Sequence, residues 1–291
     1  IFYLSNIFCS IFYLHNYKEI RMKKLTIALL TGLMSASGWS ACTYDFNVTQ
    51  AQIDTYNSSH SRKKELMTTI NTSTQEGISV IKLMGNPTID QVLASAATLN
   101  GIPDKNVVNN GTIAFEAEID TSQLQNLLTG STQEIQQMGF VVVGSSASGM
   151  ELGIQLAQAL VNNSPPSANG NQLVIVGGSY QTTNGQPGFK DIDPRSFSIQ
   201  VPSNGKVRFG VYINQQSKQL GFIVNGVNYG YMNVTANNPI TKIGFFAESQ
   251  SAPNANSKFI GKPITFKLIT DSTKMTQTYP TGTKDICGNT I

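Results

Sequence analysis

The sequence predicts a mainly β protein, an antiparallel two-sheet jelly-roll sandwich over residues 110–291 with a small mixed α/β N-terminal extension over residues 42–109. Three observations favour this fold class. Apolar and polar residues alternate from Gly111 onward, the predicted strands are short, and Gly, Asn and Pro recur between them. Each alternating run has one apolar face, and a single sheet would leave that face in water, so a second sheet must cover it.

The residues before the extension are predicted to be a leader. Residues 22–41 begin with Met22-Lys23-Lys24, continue through the apolar stretch Leu25–Met34 and end in small residues, which is the order of a secretory signal peptide. The apolar stretch is shorter than the about 20 residues that a bilayer span requires. Residues 1–21 are interpreted as translated upstream sequence, with a two-part membrane anchor as the alternative. We therefore expect an exported protein (periplasmic, secreted or attached to the outer surface) with no membrane span in its mature chain.

The composition argues against a nucleic-acid-binding surface. The chain has 20 basic and 17 acidic residues, of which the predicted leader holds four and one, so 16 of each remain. Charged residues make up 13% of the sequence, against a usual share of about 25%. No Lys or Arg occurs between Lys105 and Lys190, whereas nucleic-acid binding needs clustered basic side chains.

Cys42 and Cys287 are the two cysteines that follow the predicted leader. In an exported protein an even number of cysteines suggests a disulfide, which here would bring the two ends of the mature chain together. The alternative is a lipoprotein, because Ser40-Ala41-Cys42 fits the last positions of a lipidation box, although Trp39 stands where an aliphatic residue is expected.

The N-terminal extension has a mixed pattern. Thr49 and Thr88 each precede a Gln by three residues, which is the spacing of a helix capping box. After the second box, apolar residues recur at helical spacing and Gly101 stands at a C-cap position, so a helix is predicted over 89–99. Residues 77–84, between the two boxes, predict a short strand.

The alternation of the sandwich domain starts with a strand in which Ile113, Phe115, Ala117 and Ile119 share one face. Further along, the pattern predicts a weak helix interrupted by Gly130 (122–138), a central strand (140–143), an element that fits a strand or a helix (150–161), a loop (162–171) and a strand (173–176).

The clearest local pattern lies between Ser196 and Met232, where four strands joined by short turns predict an antiparallel meander. Asn225-Gly226 stands between two alternating runs and predicts a hairpin, because both residues tolerate the positive φ of a type I′ turn. Tyr229 and Tyr231 follow at alternate positions and are expected to project from one face. That face would be a binding platform if exposed and core if buried. Two further strands are predicted at 243–247 and 264–269.

The stretch from Lys206 to Gly230 resembles the strand–turn–strand–Asn-Gly pattern of concanavalin A-like sandwiches of the lectin and glucanase type, particularly the SPRY and laminin-G kinds. Gly111–Ile119 similarly resembles their early strand, whereas Asn214 departs from the acidic residue that those families often have. The whole chain also resembles a family of uncharacterised exported proteins of Gram-negative gammaproteobacteria. The resemblance implies the sandwich fold, and because its motifs are structural it implies no particular activity.

Three carboxylates are the candidates for catalysis, since Glu116, Glu118 and Asp120 alternate on one face of a predicted strand. Laminarinase-like glycosidases of this fold use closely spaced carboxylates as nucleophile and acid, about 5–5.5 Å apart in retaining enzymes. Gln123 and Leu124 stand where the second Glu of that family's run is needed, so a solvent-facing acidic edge is the competing interpretation.

Other catalytic and metal sites lack the required residues. His60 is the one His of the mature chain, and it lies far upstream of the strand that an alginate-lyase-type site would use, whose Gln-x-His pattern is missing. Residues 144–149 lack the Gly-x-Ser-x-Gly spacing of a Ser-His-Asp hydrolase, and one His with two cysteines expected in a disulfide is a poor zinc site. The pair Asp191 and Asp193 alone is a weak calcium signature. We therefore predict no catalytic residue, no metal and no cofactor.

A binding role is what remains. Because Trp39 lies in the leader, the mature chain has no Trp, and tyrosines would have to supply any aromatic stacking on a ligand. The sequence predicts a non-enzymatic exported binding or surface protein whose partner is a glycan, another cell-surface polymer or a protein. The alternatives are a polysaccharide-active enzyme with a divergent carboxylate site and a structural subunit of an extracellular assembly. The candidate ligand-binding residues are Tyr180, Tyr212, Asn225, Tyr229 and Tyr231.

Overall fold

The computed structural model describes residues 41–45, 48–59, 63–66, 68–71, 76–82, 89–127, 134–162, 170–183, 186–199, 202, 204–251 and 262–291. Over these residues the chain forms two β-sheets that enclose one apolar core. The predicted mainly β, antiparallel two-sheet jelly-roll sandwich is thereby confirmed. The leader up to Ser40, His60, Gly130 and most of the predicted loop over 162–171 lie outside the described residues.

Among the described residues each sheet contains eight strands. Sheet A consists of β1 (Lys63–Leu66), β4 (Ile89–Ala94), β5 (Lys105–Asn106), β7 (Glu134–Ser146), β8 (Gly149–Asn162), β9 (Gly170–Thr183), β10 (Gln186–Ile199) and β14 (Lys242–Ser251). Sheet B consists of β2 (Thr68–Asn71), β3 (Glu76–Lys82), β6 (Thr112–Asp120), β11 (Lys206–Asn214), β12 (Gln219–Val224), β13 (Val227–Thr235), β15 (Pro263–Ile269) and β16 (Thr283–Asp285). The helical elements are α1 (Gln50–Ser59), α2 (Ala96–Leu99), α3 (Ser122–Gln125) and a 3-10 helix at Ser272–Lys274.

The strand order follows from long-range pairing. Sheet A runs β1-β4-β14-β7-β8-β9-β10, with β5 paired to β14, and sheet B runs β13-β12-β11-β6-β15-β3-β2, with β16 paired to β6. The pairs are antiparallel except β1 with β4 and β16 with β6. Strand β6 therefore lies in the middle of sheet B, with β11 on one side and β15 and β16 sharing the other.

The core confirms the alternation predicted for β6 and β11. Their odd-numbered residues from Ile113 to Ile119 and from Val207 to Ile213 are buried between the sheets. Aromatic pairs join the two layers edge to face, with ring centroids 4.8 Å apart for Phe115 and Phe245 and 5.6 Å apart for Phe140 and Phe266. Each such pair contributes about 0.5–1.5 kcal/mol beyond the burial of its surface.

The N-terminal extension supplies strands to both sheets, because β3 pairs with β15 and β4 with β14. The first capping box is confirmed: the Thr49 amide donates to Gln52 Oε1 over 2.8 Å and the Gln52 amide donates to Thr49 Oγ1 over 3.3 Å at the start of α1. The predicted strand over 77–84 is present as β3.

The helix predicted over 89–99 is wrong for most of its length. Ile89–Ala94 forms strand β4, and helix α2 is confined to Ala96–Leu99. The helical spacing of apolar residues is overridden by pairing with β14 across the sheet, and Ser95 caps the short helix by accepting from the Thr98 amide. Gly101 does end the helical segment, with φ of +76°.

The predicted elements at 122–138 and 150–161 also contain more strand than helix in the structure. Of the weak helix predicted over 122–138, the structure describes α3 at the start, and the residues from Glu134 onward belong to strand β7. The element at 150–161, which fitted a strand or a helix, is strand β8, paired along its length with β7 and β9. A residue that pairs on both sides has all its backbone hydrogen bonds in the sheet, which favours the strand.

The chain ends in a segment that we call the strap, residues 270–291. The structure contains the predicted disulfide between Cys42 and Cys287, whose Cα atoms are 5.6 Å apart. The Thr270 hydroxyl donates to the Cys42 carbonyl over 2.7 Å. Both ends of the strap therefore meet at Cys42, and the segment between them crosses the outer face of sheet B.

Candidate ligand-binding face of sheet B

The outer face of sheet B, directed away from the core, carries the residues between the buried ones. Register places Asp120, Glu118, Glu116 and Ala114 of β6 beside Lys206, Arg208, Gly210 and Tyr212 of β11, in that order. The face therefore divides into a charged end, near residues 118–120 and 206–208, and an uncharged end around Tyr212.

At the charged end the acidic groups are paired with cations. Lys206 Nζ lies 3.7 Å from Glu118 Oε1 and 3.7 Å from Asp120 Oδ2. Arg208 Nη1 lies 3.7 Å from Glu118 Oε2. Side-chain exposures of 16% for Glu118 and 22% for Asp120 leave part of each carboxylate in contact with solvent.

Glu116 lies between the two ends and is completely buried. One carboxylate oxygen accepts from Arg208 Nε. The other accepts from the backbone amides of Thr276 and Gln277, each over 2.7 Å, and from the Tyr279 hydroxyl over 3.2 Å. Burial, together with the negative charge of Glu116, raises the pKa of Tyr279 far above its ordinary value. The strap therefore covers this carboxylate and uses it as an anchor.

The uncharged end carries a group that we call the tyrosine cluster: Tyr212, Tyr231 and Tyr279. Tyr212 contacts the other two edge to face, with ring centroids 5.2 Å from Tyr231 and 6.4 Å from Tyr279. Tyr212 is 2% exposed, whereas Tyr231 is 36% exposed. Burial is the main reason that the pKa of the Tyr212 phenol is raised.

Gly221 allows this arrangement. It pairs with Tyr212 on one side and Tyr231 on the other, so the three residues form one row across the sheet. A Cβ atom at Gly221 would lie 2.3 Å from Tyr212 Cζ, which means that the Tyr212 ring lies directly on the backbone of β12. A glycine inside a strand commonly marks such a close approach.

Asparagine amides surround the cluster. The Tyr212 hydroxyl donates to Asn228 Oδ1 over 3.0 Å, and Asn214 Nδ2 donates to the Tyr231 hydroxyl over 3.4 Å. These bonds fix the orientation of both rings, while the Asn228 side chain stays exposed. The result is one exposed aromatic ring held by its neighbours and flanked by amide donors and acceptors.

The predicted hairpin turn is present. Asn225 and Gly226 both have positive φ, +47° and +87°. Asn225 Oδ1 accepts from the Arg208 amide over 2.8 Å, and the Gly226 amide donates to Gln277 Oε1 of the strap over 2.8 Å. The Asn225 side chain therefore stabilises the turn, and the turn is joined to the strap.

The prediction that Tyr229 and Tyr231 share one face is wrong. The register of β12 and β13 shifts between the pairs Gly221–Tyr231 and Ile223–Asn228, which is a β-bulge, and Gly230 within it has φ of +75°. The extra residue reverses the alternation. Tyr229 consequently stacks on the core residue Phe222, with ring centroids 5.2 Å apart, while Tyr231 lies on the outer face.

Tyr180 lies in sheet A, away from the other candidates. It is 2% exposed on β9, with its ring centroid 4.7 Å from that of Phe189, and burial raises its pKa well above the ordinary value. Of the five predicted ligand-binding residues, the structure thus brings together Tyr212 and Tyr231, whereas Asn225 lies at the hairpin beside Arg208. Their role in binding stays a prediction.

The comparisons with known proteins place the chain in a family. A family model described as a domain of unknown function (DUF4882) matches residues 22–289. The chain belongs to this family. Comparison with curated protein sequences gives no match.

Solved structures show similarity at low identity. One is a GH16 protein of a mixed-linkage glucan locus from Bacteroides ovatus, with 8% identity, 78% of this chain and 97% of that chain covered and a TM-score of 0.44. Another is an endo-1,3-β-glucanase from Streptomyces sioyaensis, with 10% identity, coverages of 66% and 75% and a TM-score of 0.41. A third is an alginate lyase from Pseudomonas aeruginosa, with 13% identity, coverages of 65% and 79% and a TM-score of 0.34. At these values we draw no conclusion about activity from them.

The edges of the two sheets meet where this DUF4882 protein carries the pair Asp193 and Arg195. Arg195 Nη2 donates to Asp193 Oδ2 over 2.8 Å, and the same oxygen accepts from the Asn233 amide of edge strand β13 over 2.8 Å. Burial alone would raise the pKa of Asp193, but the bonds from Arg195 and Asn233 outweigh it and hold the pKa below its ordinary value. Asp193, half of the weak calcium signature, therefore has a structural role here.

Among the described residues, sulfur and carboxylate groups that could hold a metal come together at Cys42, Asp285 and Cys287, where the disulfide occupies both sulfur atoms. No helix in the described part of the chain combines the length and apolar character needed to cross a bilayer.

Sequence reasoning missed four residues of the face: Asn228, Gln277 and Tyr279 altogether, and Arg208 as the partner of Glu116. The strap has no periodicity that would predict its position. Gly210 and Gly221 were usable indicators, because each occupies an outward position in a strand and each lies beneath a tyrosine.

Proposed function

We propose that this protein is a non-enzymatic exported binding protein that holds a glycan or another uncharged cell-surface polymer against the tyrosine cluster. The observation that carries the proposal is Tyr231, whose ring is exposed although Tyr212 and Asn214 hold it in place. A ring fixed before binding loses little conformational freedom when a ligand stacks on it, which favours affinity.

The surroundings of Tyr231 indicate the chemistry of the ligand. Asn214 and Asn228 offer amide groups beside the ring, and the charged groups of the face are paired with one another at its other end. Ligand sites commonly combine aromatic surface with a few polar groups that fix orientation. A polymer that presents apolar sugar faces and hydroxyl groups satisfies both.

Export is part of the proposal and has two supports. Residues 22–41 have the order of a signal peptide. The disulfide between Cys42 and Cys287 is of a kind that persists in oxidising compartments. Fractionation of the native host, with immunodetection of the protein, tests this part directly, and a cytoplasmic protein with reduced cysteines would contradict it.

The binding experiment uses the purified protein on a glycan array and in pull-downs with insoluble polysaccharides. Tyr231→Ala should weaken binding about 30-fold, since loss of an aromatic anchor costs about 2 kcal/mol. Tyr231→Phe keeps the ring and should bind nearly as the parent does. The matched control is Ile192→Ala, which removes a 50% exposed apolar side chain from sheet A. The proposal would be contradicted if the parent protein bound nothing on the array, or if Tyr231→Ala and the parent bound equally.

A polysaccharide-active enzyme is the second candidate, favoured by one observation: the three predicted carboxylates do share one face of β6. Glu116 is buried under the strap, so Glu118 and Asp120 would have to act. Release of reducing sugar from a polymer panel, lost in Glu118→Gln, would favour this candidate over the binding protein. Size-exclusion chromatography addresses the third candidate, a structural subunit, which would elute as an assembly.

A further inference from the structure

The sequence contains six Asn-Gly steps, and the structure describes both residues of four of them. In such a step the glycine nitrogen can attack the asparagine side-chain carbon, because glycine has no side chain to obstruct the approach. The new N–C bond closes a succinimide ring while the amide C–N bond breaks, and the amide nitrogen leaves as ammonia with the glycine N–H proton. Water then opens the ring to aspartate or isoaspartate. The four described steps are Asn100-Gly101, Asn110-Gly111, Asn204-Gly205 and Asn225-Gly226.

In three of these steps a hydrogen bond holds the attacking nitrogen. The Gly101 amide donates to Thr98 O over 2.8 Å, the Gly205 amide to Pro202 O over 2.7 Å and the Gly226 amide to Gln277 Oε1 over 2.8 Å. A nitrogen whose proton is held by an acceptor must break that bond before it can lose the proton and turn toward the side chain.

The asparagine side chain is also held at Asn204 and at Asn225. Asn204 Oδ1 accepts from the Lys206 amide over 3.0 Å, and Asn225 Oδ1 accepts from the Arg208 amide over 2.8 Å. Each bond engages the side-chain oxygen and limits rotation of the side chain toward a reactive geometry. The turns at Asn204-Gly205 and Asn225-Gly226 therefore also protect the asparagine.

Asn110-Gly111 differs in each respect. Both residues are exposed, and within the described part of the chain no hydrogen bond engages the Asn110 side chain or the Gly111 amide. The carbonyl groups of the same segment are fixed: the Gln215 amide donates to Gly111 O over 2.8 Å and Gln215 Nε2 donates to Val108 O over 2.9 Å. The attacking nitrogen and the side-chain amide thus belong to adjacent exposed residues, on a segment that is anchored through its carbonyl groups.

We infer that Asn110 is a self-modification site, converting to aspartate and isoaspartate without an enzyme while Asn100, Asn204 and Asn225 persist. The conversion adds a negative charge immediately before β6. As isoaspartate it also lengthens the main chain by one carbon beside Gly111, which pulls the Gly111 carbonyl away from Gln215. Gln215 is buried and holds Ile240 through both ends of its amide group, so the change weakens the contact between the β11–β12 turn and the segment that leads into β14.

The test ages the purified folded protein in mildly alkaline buffer and follows each Asn-Gly peptide by mass spectrometry, with isoaspartate identified by enzymatic methylation. Conversion at Asn110 should exceed that at each of the other three by roughly five- to tenfold for every hydrogen bond that must open there first. Conversion of any of the three at the Asn110 rate would overturn the inference.

Three controls test whether the fold, and not the local sequence, sets the conversion rates and their effect on stability. In the unfolded, reduced protein the four rates should converge, and persistence of the native order there would mean that the fold does not set it. Gln277→Met removes the acceptor of the Gly226 amide and should speed conversion at Asn225, whereas Gln277→Glu retains an acceptor oxygen and should not. Asn110→Gln should keep its melting temperature on ageing while that of the parent falls, and an equal fall in both would contradict the structural consequence.

Discussion

Glu116→Gln tests how the strap is held on sheet B. The substitution keeps the shape of the side chain but replaces a charged acceptor with a neutral amide. The structure gives Glu116 no solvent and four donors: Arg208, the Thr276 and Gln277 amides and the Tyr279 hydroxyl. The variant leaves a largely buried guanidinium without its main partner.

The expected loss is about 3 kcal/mol of unfolding free energy, at the lower end of the about 3–5 kcal/mol for breaking a buried ion pair, because Arg208 retains Glu118 at 3.7 Å. For a domain of this size that corresponds to a fall in Tm of about 6–12 °C. Urea and thermal unfolding measure the loss. Hydrogen exchange should also show faster exchange at the Thr276 and Gln277 amides, which donate to this carboxylate.

Glu118→Gln is the matched control, since it removes a carboxylate from the same strand and face. Its cation contacts are at 3.7 Å and partly exposed, so its loss should stay below about 1 kcal/mol. If the two variants lose equal stability, or if the strap amides keep their protection in Glu116→Gln, the anchoring role of Glu116 is refuted.

Three further predictions concern the disulfide, the sheet edges and the glycine beneath the tyrosine cluster. Replacing Cys42 and Cys287 together by Ala should lower the unfolding free energy by about 5 kcal/mol in urea titrations, because the bridge closes a loop with a sequence separation of 245. Equal stability of the parent with and without reductant would contradict this. The folded-state pKa of Asp193 is depressed, so its contribution to the unfolding free energy is complete above the ordinary Asp pKa of about 3.9 and declines as the pH falls toward the folded-state value. Asp193→Asn should therefore flatten the acid limb of a stability–pH profile. An unchanged profile would argue against the ion pair. Gly221→Ala should cost about 1–3 kcal/mol of unfolding free energy in thermal unfolding, because its Cβ would collide with the Tyr212 ring. The control Gly188→Ala, whose Cβ would have nothing within 4 Å, should be nearly neutral. Equal effects of the two substitutions would contradict the close contact.

Local patterns predicted those parts of the fold that local physics decides. The apolar face of β6 was predictable because a strand with one buried face must alternate. The hairpin at Asn225-Gly226 was predictable because few residue pairs tolerate two positive φ values. In both cases the residues themselves exclude the competing conformations.

Predictions failed where distant residues decide. The apolar spacing of Ile89–Ala94 suits a helix, and pairing with β14 makes it a strand. Tyr229 and Tyr231 are alternate in sequence, yet the bulge at Gly230 sends them to opposite faces. The glycine between them was a signal of that bulge. No sequence signal predicted the position of the strap over Glu116, because that position depends on the disulfide and on a buried carboxylate far away in the chain.

The most direct measurement of the central claim is a hydrogen-exchange footprint of the protein bound to whichever polymer it retains. We expect slower exchange in β12, β13 and the adjoining part of the strap around Tyr231, with sheet A unaffected. Slower exchange confined to the outer face of sheet A would contradict the assignment of the tyrosine cluster as the binding site.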